Sequence, residues 1–520
     1  MSRGAAAEGR SARMAVGLIR AVVAAATADP DRPAVVEIDH GVTVSRAAIV
    51  TEAARLAARL DETTPANATV MLHGPGGAAY WAGLLAVFGS GRRLLPVGVE
   101  TVAGHRASLA DAHRVAAVIE TSSAGAWTDP PPSITTVPVG FESWPGPTTT
   151  PDIQTRIETR IETRIETAAA RLDRGASASL LLRSSGTTGR PGVALRDAAA
   201  LDRVSETLVE VLGLCDDDRV LATLPMQHAY GIEHGVLGPM RAGATVAFKA
   251  GFDLMAGADA LLDGTTVFPA VPVTLEAATR VARPDHMLRL AYTAGSPLPD
   301  PVRRGFEAAW RIPVGDLYGM TEVGTITWGV GDDRRAVSGV SIGVVDPDAD
   351  DDVATIARCG RGEIVVRSDA MSSGYLAGAD ADPDPGRRID GHLRTGDLGE
   401  IDAVGRLRIT GRAKLQFDVG GLKVNPEEIE AVLAAIPTVR EVAVVPVPLS
   451  DTVTRVMAVI VVAADAVSAV VEQAIRETAR RELAPHQRPR IVKVVDALPR
   501  SATGKLLRGR LIAEFTAPGE

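Results

Sequence analysis

Short apolar runs alternate with alanine-rich stretches over residues 31–119 of the chain. Residues 69–72 read Thr-Val-Met-Leu, which favours a strand, and residues 78–88 follow as an apolar stretch long enough for a helix. Alternating strands and helices are typical of α/β folds, in which helices pack on a sheet. We therefore predict an α/β protein with a large, multi-subdomain N-terminal domain of mixed sheets and helices, covering residues 1–411.

The pattern changes after Gly411 and Arg412. Asn425, Pro426 and two glutamates form a typical helix start, because asparagine caps the first amides, proline fits the first turn and acids face the positive dipole end. Valine-rich runs at residues 442–447 and 456–462 predict strands, and a helix with one apolar face follows. That face contains Val467, Val470, Val471, Ala474, Ile475 and Thr478. We predict a small α+β C-terminal domain over residues 412–520.

Several segments are less regular. Residues 14–28 predict an amphipathic first helix, with a weak signal peptide as the alternative, and the Pro- and Thr-rich residues 130–151 predict a surface loop. The repeat RIETRIETRIET at residues 156–167 stacks like charges on a helix but alternates them on a strand, so its conformation stays open. We favour a surface insertion there. The acidic residues 346–352 lack the glycine and final glutamate of a calcium loop and predict a solvated turn.

Composition narrows the function classes. The chain has 520 residues, 46% hydrophobic and 23% charged, which is typical of a soluble protein with several domains. With 64 acidic and 55 basic residues the net charge is -9, which disfavours general nucleic-acid binding. Cys215 and Cys359 match no zinc or disulfide spacing, and a reducing cytoplasm fits best. No apolar run reaches about 18 residues, so we expect no transmembrane segment.

The segment SSGTTGRPG, residues 184–192, combines glycines with hydroxyl side chains after an apolar run. Glycines let backbone amides converge on an anion, and hydroxyls add donors without bulk. Unlike a Walker-type loop, the segment contains no lysine. Taken alone, it is as consistent with a structural turn as with a phosphate site. The candidate phosphate-binding residues are Ser184, Ser185, Gly186, Thr187, Thr188 and Gly189.

Six further segments follow in a fixed order. They are Ala294-Gly295-Ser296-Pro297, LYGMTEVG (317–324), LRTGDLG (393–399), ITGRAK (409–414), GGLKVNPEEIE (420–430) and PRSATGK (499–505). Together the segments resemble those of the adenylate-forming superfamily, which includes acyl-CoA synthetases, peptide-synthetase adenylation domains and beetle-type luciferases. The resemblance is strongest to acyl-CoA synthetases and spans about residues 31–511. It implies ATP, Mg²⁺ and coenzyme A as cofactors, a small carboxylic acid as substrate and a mobile C-terminal domain.

The resemblance also assigns roles to single residues. It implies that Tyr318 stacks on adenine, that Thr321 binds the α-phosphate and that Glu322 helps to hold Mg²⁺, a cation that prefers carboxylate oxygen. Asp397 would accept hydrogen bonds from the ribose, with Arg412 alongside. Without the other motifs, Glu322 would be interpreted as a surface acid and Asp397 as a turn residue. The implied nucleotide site also includes Gly295, Ser296, Pro297 and Gly319.

The missing cation of the phosphate segment is implied to come from the C-terminal domain, where Lys505 would stabilise the negative charge of adenylation. Lys414 would be the hinge for a rotation that brings Gly420, Gly421 and Lys423 to the thiol path. Lys414→Pro is then expected to spare adenylation and impair thioester formation. One departure is that Gly192 stands where the superfamily has lysine. This predicts a raised Michaelis constant for ATP, which Gly192→Lys should lower.

The acyl pocket is implied to contain His228, Tyr230, Gly295, Gly319 and Met320. His228 is a candidate gate between the acyl pocket and the thiol tunnel, and a purely structural histidine is equally consistent with the sequence. Relatives that activate amino acids carry an aspartate in this segment, whereas here the first acid is Glu233. An acid without an α-amino group is therefore expected.

The acceptor is expected to be diffusible, because the sequence has no carrier domain after Lys505. Coenzyme A is the first candidate and a separate acyl carrier protein the second. A luciferase-like use of the acyl-adenylate would depend on oxygen. A catalytically silent nucleotide-binding regulator would lack the catalytic groups, and the presence of both Lys505 and Glu322 argues against it.

Overall fold

The computed structural model describes residues 17–99, 101, 103–121, 135–138, 165–172, 177–183, 193–250, 254–283, 285–331, 333–347, 355–377, 380–382, 388–415, 417–419, 422–450, 453–463, 468–500 and 506–516. These residues pack into two compact units. The larger contains the chain up to Ser341 and residues 367–387, and the smaller contains residues 342–366 and the chain from Arg388 onward. Compactness does not locate a hinge, so the boundary at residues 411/412 stays a prediction.

The strands of both units are numbered in chain order. They are β1 (Pro33–Glu37), β2 (Val42–Ser45), β3 (Thr69–His73), β4 (Arg93–Val97), β5 (Val115–Glu120), β6 (Thr135–Pro138), β7 (Ser179–Arg183), β8 (Val193–Asp197), β9 (Arg219–Ala222), β10 (Thr245–Phe248), β11 (Val267–Ala270), β12 (Leu290–Thr293), β13 (Val314–Met320), β14 (Gly324–Val330), β15 (Arg335–Ala336), β16 (Val340–Val345), β17 (Gly360–Ser368), β18 (Gly374–Ala377), β19 (Asp380–Asp382), β20 (Arg388–Ile389), β21 (His392–Ile401), β22 (Leu407–Arg412), β23 (Phe417–Val419), β24 (Leu422–Val424), β25 (Val439–Ser450), β26 (Val453–Val462) and β27 (Ile491–Val494).

The helices are numbered in the same way. They are α1 (17–28), α2 (Arg46–Thr63), α3 (Ala78–Gly89), α4 (Ala103–Ala112), α5 (165–172), α6 (Ala198–Leu212), α7 (Ala229–Ile232), α8 (Gly238–Ala242), α9 (Leu254–Leu262), α10 (Pro272–Thr279), α11 (Asp300–Trp310), α12 (Pro426–Ala434), α13 (Ser468–Glu482) and α14 (Arg508–Thr516). A π-helical turn, Glu233–Leu237, joins α7 to α8, and a 3₁₀ turn, Ala413–Leu415, follows β22.

Two sheets form the larger unit. The first has the strand order β15-β14-β13-β12-β11-β9-β10-β1-β2. In it, β12 and β13 are parallel, and β14 is antiparallel to β13. The second has the order β19-β18-β8-β7-β4-β3-β5-β6. The carboxyl ends of neighbouring parallel strands meet at one edge of a sheet, which is where α/β proteins bind ligands. The segments after β12 and β13 therefore lie together at an edge of the sheet that is suitable for ligand binding.

Helices cover these sheets because their sequences are strongly apolar. Helix α3 reads AAYWAGLLAVFG and is buried along nearly its whole length, as expected for a helix without a polar face. Helix α6 begins directly after β8, where the Asp197 side chain accepts a hydrogen bond from the Ala200 amide at 2.9 Å. This cap fixes the point at which the chain leaves β8, and it therefore fixes the position of the preceding residue, Arg196.

The smaller unit contains three sheets within its described residues. One is formed by β16, β17, β21 and β20, with β22 added to β21, and the others are the pair β23-β24 and the sheet β25-β26-β27. Helices α12 and α13 cover the last sheet and bury Ile429, Leu433, Val471 and Ile475 with its valines. The architecture confirms the predicted fold class, a large α/β part and a small α+β part.

Most local predictions in these regions are confirmed. Strand β3 and helix α3 occupy the predicted positions, α1 begins within the predicted first helix, and Asn425 caps α12 by accepting from the Glu427 amide at 3.1 Å. One prediction was wrong in part, because residues 135–138 of the predicted loop form β6, which pairs with β5. The end of the RIET repeat is helical, since Ile165 starts α5 and is buried.

Three predicted segments lie wholly or partly outside the described part: the rest of the loop, the rest of the repeat, and residues 348–352 of the acidic stretch.

Within the described part, we find no helix that is long and apolar enough to cross a membrane.

Candidate functional site

The hairpin of β13 and β14 carries the residues predicted to bind phosphate and Mg²⁺. Met320 pairs with Gly324, and the Val323 amide donates to the Met320 carbonyl at 3.0 Å, so residues 321–323 form a tight loop at the end of β13. A side chain at Gly319 would place its Cβ 2.5 Å from the Gly324 carbonyl oxygen. Glycine is therefore required for the strands to approach this closely. We call residues 321–323 the acidic loop.

The first two carbonyls of the acidic loop, those of Thr321 and Glu322, accept hydrogen bonds from other segments. Arg196 Nη1 donates to the Thr321 carbonyl at 2.9 Å, and the Ser372 amide donates to the Glu322 carbonyl at 2.7 Å. Arg196 lies on β8, and Ser372 lies just before β18, the strand that pairs with β8. The strand that follows the predicted phosphate segment thus also holds the acidic loop.

Arg196 also forms a buried ion pair with Glu233. The two side chains are 0% and 3% exposed, and Arg196 Nη2 lies 2.8 Å from Glu233 Oε1. Burial raises the pKa of the Glu233 carboxyl, and the nearby guanidinium opposes that rise. In the sequence, Glu233 stands out only as the first acid of its segment, and Arg196 belongs to none of the motifs. The sequence signal for this ion pair is that Arg196 and Glu233 are charges of opposite sign, each within a mainly apolar segment.

The Glu322 side chain has a partner of its own. Tyr375 Oη lies 2.5 Å from Glu322 Oε1, and Glu322 is only 7% exposed. Tyr375 lies on β18, directly opposite Ala194 of β8. The carboxylate is therefore held by a donor from the same pair of strands that fixes the loop backbone. Thr321 is half-buried next to it.

The acidic loop fits the way in which proteins bind Mg²⁺ together with a nucleotide. Among the described residues, no cluster of three or more His, Cys, Asp or Glu side chains could hold a metal ion by itself. Mg²⁺ is commonly bound by one or two carboxylates together with substrate phosphates rather than by a complete protein cage. A single buried carboxylate such as Glu322 matches that requirement.

The predicted adenine-binding residues lie close to the same edge of the sheet. Gly295 follows β12 with φ +81°, and Gly295, Ser296 and Pro297 are exposed in a bend. Tyr318 lies on the neighbouring strand β13 and is buried. A positive φ is readily adopted by glycine, which explains why this residue occupies the bend.

The segment predicted to line the acyl pocket forms a short, irregular helix. His228 is exposed and precedes α7, whereas Tyr230 is half-buried and donates to the Ala270 carbonyl at 2.9 Å. Met320 ends β13 and is also half-buried. The gate role of His228 and the pocket roles of Tyr230 and Met320 stay predictions.

A buried histidine that the sequence did not single out lies in the next turn. His234 Nδ1 is 2.9 Å from Tyr292 Oη, and its ring meets that of Tyr230 edge-to-face at 4.7 Å. Burial lowers the pKa of His234 from 6.5 to about 3, so the ring is neutral at pH 7. No spacing rule could have found it, because a π-helical turn places it inside the core.

Two predicted ribose-site residues face each other in the smaller unit. Asp397 and Arg412 are paired in the register of β21 and β22, and Arg412 Nε lies 2.9 Å from Asp397 Oδ1. The Arg412 side chain is 38% exposed and that of Asp397 is 9% exposed. This pair is therefore open to solvent on the arginine side.

Other predicted site residues lie outside the described part of the chain. They are Ser184, Ser185, Gly186, Thr187, Thr188, Gly189, Gly192, Gly420, Gly421 and Lys505. The backbone of Lys414 lies in the 3₁₀ turn and that of Lys423 in β24. The roles of all these residues stay predictions.

The chain matches two family models in the expected order. The model described as AMP-binding enzyme matches residues 22–376, and the model of the AMP-binding enzyme C-terminal domain matches residues 428–505. The first match covers more than half of the 520 residues. The chain belongs to the AMP-binding enzyme family. This confirms the resemblance to adenylate-forming enzymes that the motifs indicated.

Similar proteins of this family are CoA ligases by name. The chain is 31% identical over 371 residues to 4-coumarate–CoA ligase 5 of Oryza sativa subsp. japonica, a match that covers 66% of this chain and 67% of that protein. It is 31% identical over 348 residues to the long-chain-fatty-acid–CoA ligase FadD13 of Mycobacterium tuberculosis, covering 65% and 67%. With 4-coumarate–CoA ligase 3 from the same rice, the identity is 29% and the coverage 64% and 63%. The chain thus spans about two thirds of the length of these relatives.

Solved structures of similar proteins match over nearly the whole chain. ATP-bound MatB from Rhodopseudomonas palustris matches with a TM-score of 0.78 and 26% identity, covering 94% of this chain and 97% of that one. A fatty acyl CoA synthetase from Mycobacterium tuberculosis matches with a TM-score of 0.69 and 25% identity, covering 96% and 99%. These matches confirm the fold of an AMP-binding enzyme.

Proposed function

We propose that this AMP-binding enzyme is an AMP-forming acid–CoA ligase. In the first step, a carboxylate oxygen of the acid attacks the α-phosphorus of ATP, which gives an acyl-adenylate and releases pyrophosphate. In the second step, the thiol of coenzyme A attacks the acyl carbon, loses its proton and releases AMP. The names of the similar CoA ligases support coenzyme A as a reactant, and the similar ATP-bound MatB structure supports ATP.

The observation that carries the proposal is the acidic loop. Glu322 is a buried carboxylate, fixed by Tyr375, at the carboxyl end of a parallel strand. Such an edge is where α/β proteins bind ligands, and one carboxylate together with substrate phosphates would be enough to hold Mg²⁺, which usually keeps several of its water ligands. When bound, Mg²⁺ would neutralise phosphate charge.

The other predicted site residues would bind and orient the nucleotide. Thr321 offers a hydroxyl to the α-phosphate, and Tyr318 and the exposed bend after β12 accommodate adenine. In the smaller unit, Asp397 would accept from the ribose hydroxyls. Lys505 would donate to the oxygens on which negative charge gathers, and a fixed cation is most effective where that charge develops.

The state of Glu233 supports an acid without an α-amino group. An amino acid would need a carboxylate near its ammonium, and the first acid of the predicted pocket segment is Glu233. That side chain is 3% exposed and already paired with Arg196. Removing it from that partner to bind a substrate would leave a buried guanidinium without its counterion, which is costly.

A panel of carboxylic acids tests the proposal. The full chain is assayed for acid-dependent exchange of pyrophosphate into ATP, and the products are measured by mass spectrometry with coenzyme A present. We expect exchange with at least one acid that has no α-amino group, and a matching CoA thioester. Lys505→Ala is expected to lower the exchange rate about 100-fold or more. The control Arg481→Ala changes an exposed C-terminal cation in α13 and should retain exchange.

Each other outcome identifies a different function. Exchange without a CoA thioester, followed by acylation of a carrier protein, would favour the carrier-protein ligase. Oxygen uptake with light or oxidised product would favour a luciferase-like enzyme. ATP binding without exchange for any acid would favour a silent regulator.

We also propose a cytoplasmic location, because the two cysteines are exposed and form no disulfide.

A further inference from the structure

We propose that the ion pair of Arg196 and Glu233 is the positioning element that holds Thr321 and Glu322 in their nucleotide-binding arrangement. The inference rests on the proposed function of those two residues. Arg196 bridges two segments that are far apart in sequence: its Nη1 reaches the Thr321 carbonyl and its Nη2 reaches Glu233. Arg196 itself contacts neither the nucleotide nor the acid in this proposal.

The bridge is geometrically specific. A guanidinium presents its donors in a rigid plane, so the direction of one hydrogen bond fixes the direction of the other. Glu233 therefore orients Arg196, and Arg196 orients the carbonyl of the residue directly before Glu322. The distances of 2.8 Å and 2.9 Å are those of well-formed hydrogen bonds.

The backbone at the end of the acidic loop is packed against the same pair. Gly324 has φ +84°, and a Cβ placed there would lie 2.9 Å from Arg196 Nη2 and 3.5 Å from Glu233 Oε2. Glycine leaves room for the ion pair to lie directly under the loop. The Cβ would also lie 2.9 Å from Val204 Cγ2, so α6 packs against the same glycine as the ion pair.

Stability alone does not account for this arrangement. Burying two charges is expensive, and a buried ion pair is often no more stabilising than apolar residues of the same volume. Moreover, Arg196 Nε is buried and has no hydrogen-bond partner among the described residues. An unpartnered buried donor is a cost. The pair is therefore better explained by the position it imposes on Thr321 than by its own energy.

The experiment compares Arg196→Lys and Glu233→Gln with the wild-type chain. Lysine keeps the charge but lacks the planar fork, and glutamine keeps the shape but lacks the charge. Arg241→Lys is the matched control, because Arg241 pairs with Asp202 and Glu206 in the same unit and is also shielded, at 18% exposure. Folding of each variant is checked by circular dichroism.

Two readouts separate positioning from folding. Titration calorimetry measures ATP affinity as a function of Mg²⁺ concentration without any acid, and pyrophosphate exchange measures the Mg²⁺ requirement of turnover. We expect Arg196→Lys to raise the Mg²⁺ concentration for half-maximal effect about tenfold in both assays, since a hydrogen bond to a charged group is lost. Glu233→Gln should raise it less, and Arg241→Lys should stay within about twofold of wild type.

The inference is overturned if Arg196→Lys and Glu233→Gln match Arg241→Lys in Mg²⁺ dependence, whatever their melting temperatures. If Arg196→Lys does not fold, Glu233→Gln decides the outcome. Failure of the proposed function is distinguishable, because then the wild-type chain would show no exchange with any acid. The calorimetric comparison would still report whether the ion pair controls binding of Mg²⁺ and ATP.

Discussion

An arginine–carboxylate pair supports predicted nucleotide-binding residues in the larger unit, and another is formed by the two predicted ribose-site residues of the smaller unit. Arg196 and Glu233 in the larger unit are 0% and 3% exposed, whereas Arg412 and Asp397 in the smaller unit are 38% and 9% exposed. The buried pair holds the backbone of the acidic loop through Thr321. The open pair links two neighbouring strands and leaves its arginine accessible to solvent.

The difference concerns what each pair can do for a ligand. Charges in the interior are weakly screened, and their partners cannot be replaced by water without cost. A partly exposed pair exchanges readily with solvent and contributes little to stability. The buried pair is thus suited to keep a loop in place, and Asp397 of the open pair is suited to exchange its partner for a ribose hydroxyl.

The largest expected effect is on stability. Arg196→Ala leaves Glu233 buried without its counterion and should lower the free energy of unfolding by about 3–5 kcal/mol. Arg412→Ala should lower it by less than about 1 kcal/mol, because the pair is partly exposed. Urea denaturation followed by far-UV circular dichroism measures both. Equal losses in the two variants would remove the contrast between the pairs.

A control refines this stability test. The double variant Arg196→Ala, Glu233→Ala removes both charges together, so it should be less destabilised than the sum of the single variants. All five tryptophans, Trp81, Trp127, Trp144, Trp310 and Trp328, lie in the sequence assigned to the larger unit. Of these, Trp81, Trp310 and Trp328 are buried or half-buried there, so a change in their fluorescence reports the unfolding of that unit.

The second effect concerns catalysis in the larger unit. Glu322→Gln removes the charge from the buried carboxylate while keeping a hydrogen-bond acceptor for Tyr375. We expect the rate of pyrophosphate exchange to fall about 100-fold, since the proposed function requires this negative charge beside the reacting phosphates. The control Glu210→Gln alters an exposed acid on α6 of the same unit, outside the motifs assigned to the nucleotide. A similar loss in both variants would contradict the assigned role.

The third effect is a pH dependence of the buried region. Burial lowers the pKa of His234 to about 3, against 6.5 for an exposed histidine. The unfolded chain therefore takes up a proton first, so the contribution of His234 is fully present above pH 6.5 and is lost as the pH falls towards 3. At pH 5 the loss is about 2 kcal/mol. The urea midpoint of His234→Gln should fall less between pH 7.5 and pH 5 than that of wild type.

A matched histidine variant serves as control for the pH test. His40 is exposed in the same unit, so His40→Gln should follow the wild-type chain between pH 7.5 and pH 5. If His234→Gln also follows the wild type, the histidine is not held neutral in the core. In that case the interior around Glu233 would be more accessible than the structure indicates.

The smallest effect is expected at the open pair. Asp397→Asn keeps the shape but weakens a hydrogen bond from a ribose hydroxyl to a charged acceptor, which should raise the Michaelis constant for ATP about tenfold. The maximal rate should change little, because a residue that binds the ribose would interact equally with the substrate and with the transition state. Initial rates at varied ATP measure both constants. A change confined to the maximal rate would show that Asp397 acts on the chemistry instead.

The secondary structure was most predictable where its causes are local. Asn425 caps α12 because its side chain reaches an amide two residues away, and the valine-rich runs of β25 and β26 favour strands by their own composition. Strand β6 was missed because its hydrogen bonds go to β5, across a segment that looks like a loop. Pairing between distant strands leaves little trace in the sequence of either strand.

The motifs determined which residues of the candidate site belong to a nucleotide enzyme, but not what holds them. Thr321 and Glu322 were identified from the order of the motifs along the chain, and family membership is confirmed. Their supports are Arg196, Glu233 and Tyr375, none of which stands in the motifs that were assigned to the nucleotide. A buried arginine looks the same in sequence as an exposed one.

The sequence by itself therefore determined the fold class, the family and the candidate chemical groups. Helix caps, residue periodicity and motifs depend on residues that are close together in the chain, so they can be recognised without the structure. Only the tertiary structure decided that Arg196 meets Glu233 and the Thr321 carbonyl, partners that are 37 and 125 residues away. Such contacts depend on how two sheets and a π-helical turn pack together. Their energy also depends on burial, which arises only when the chain has folded.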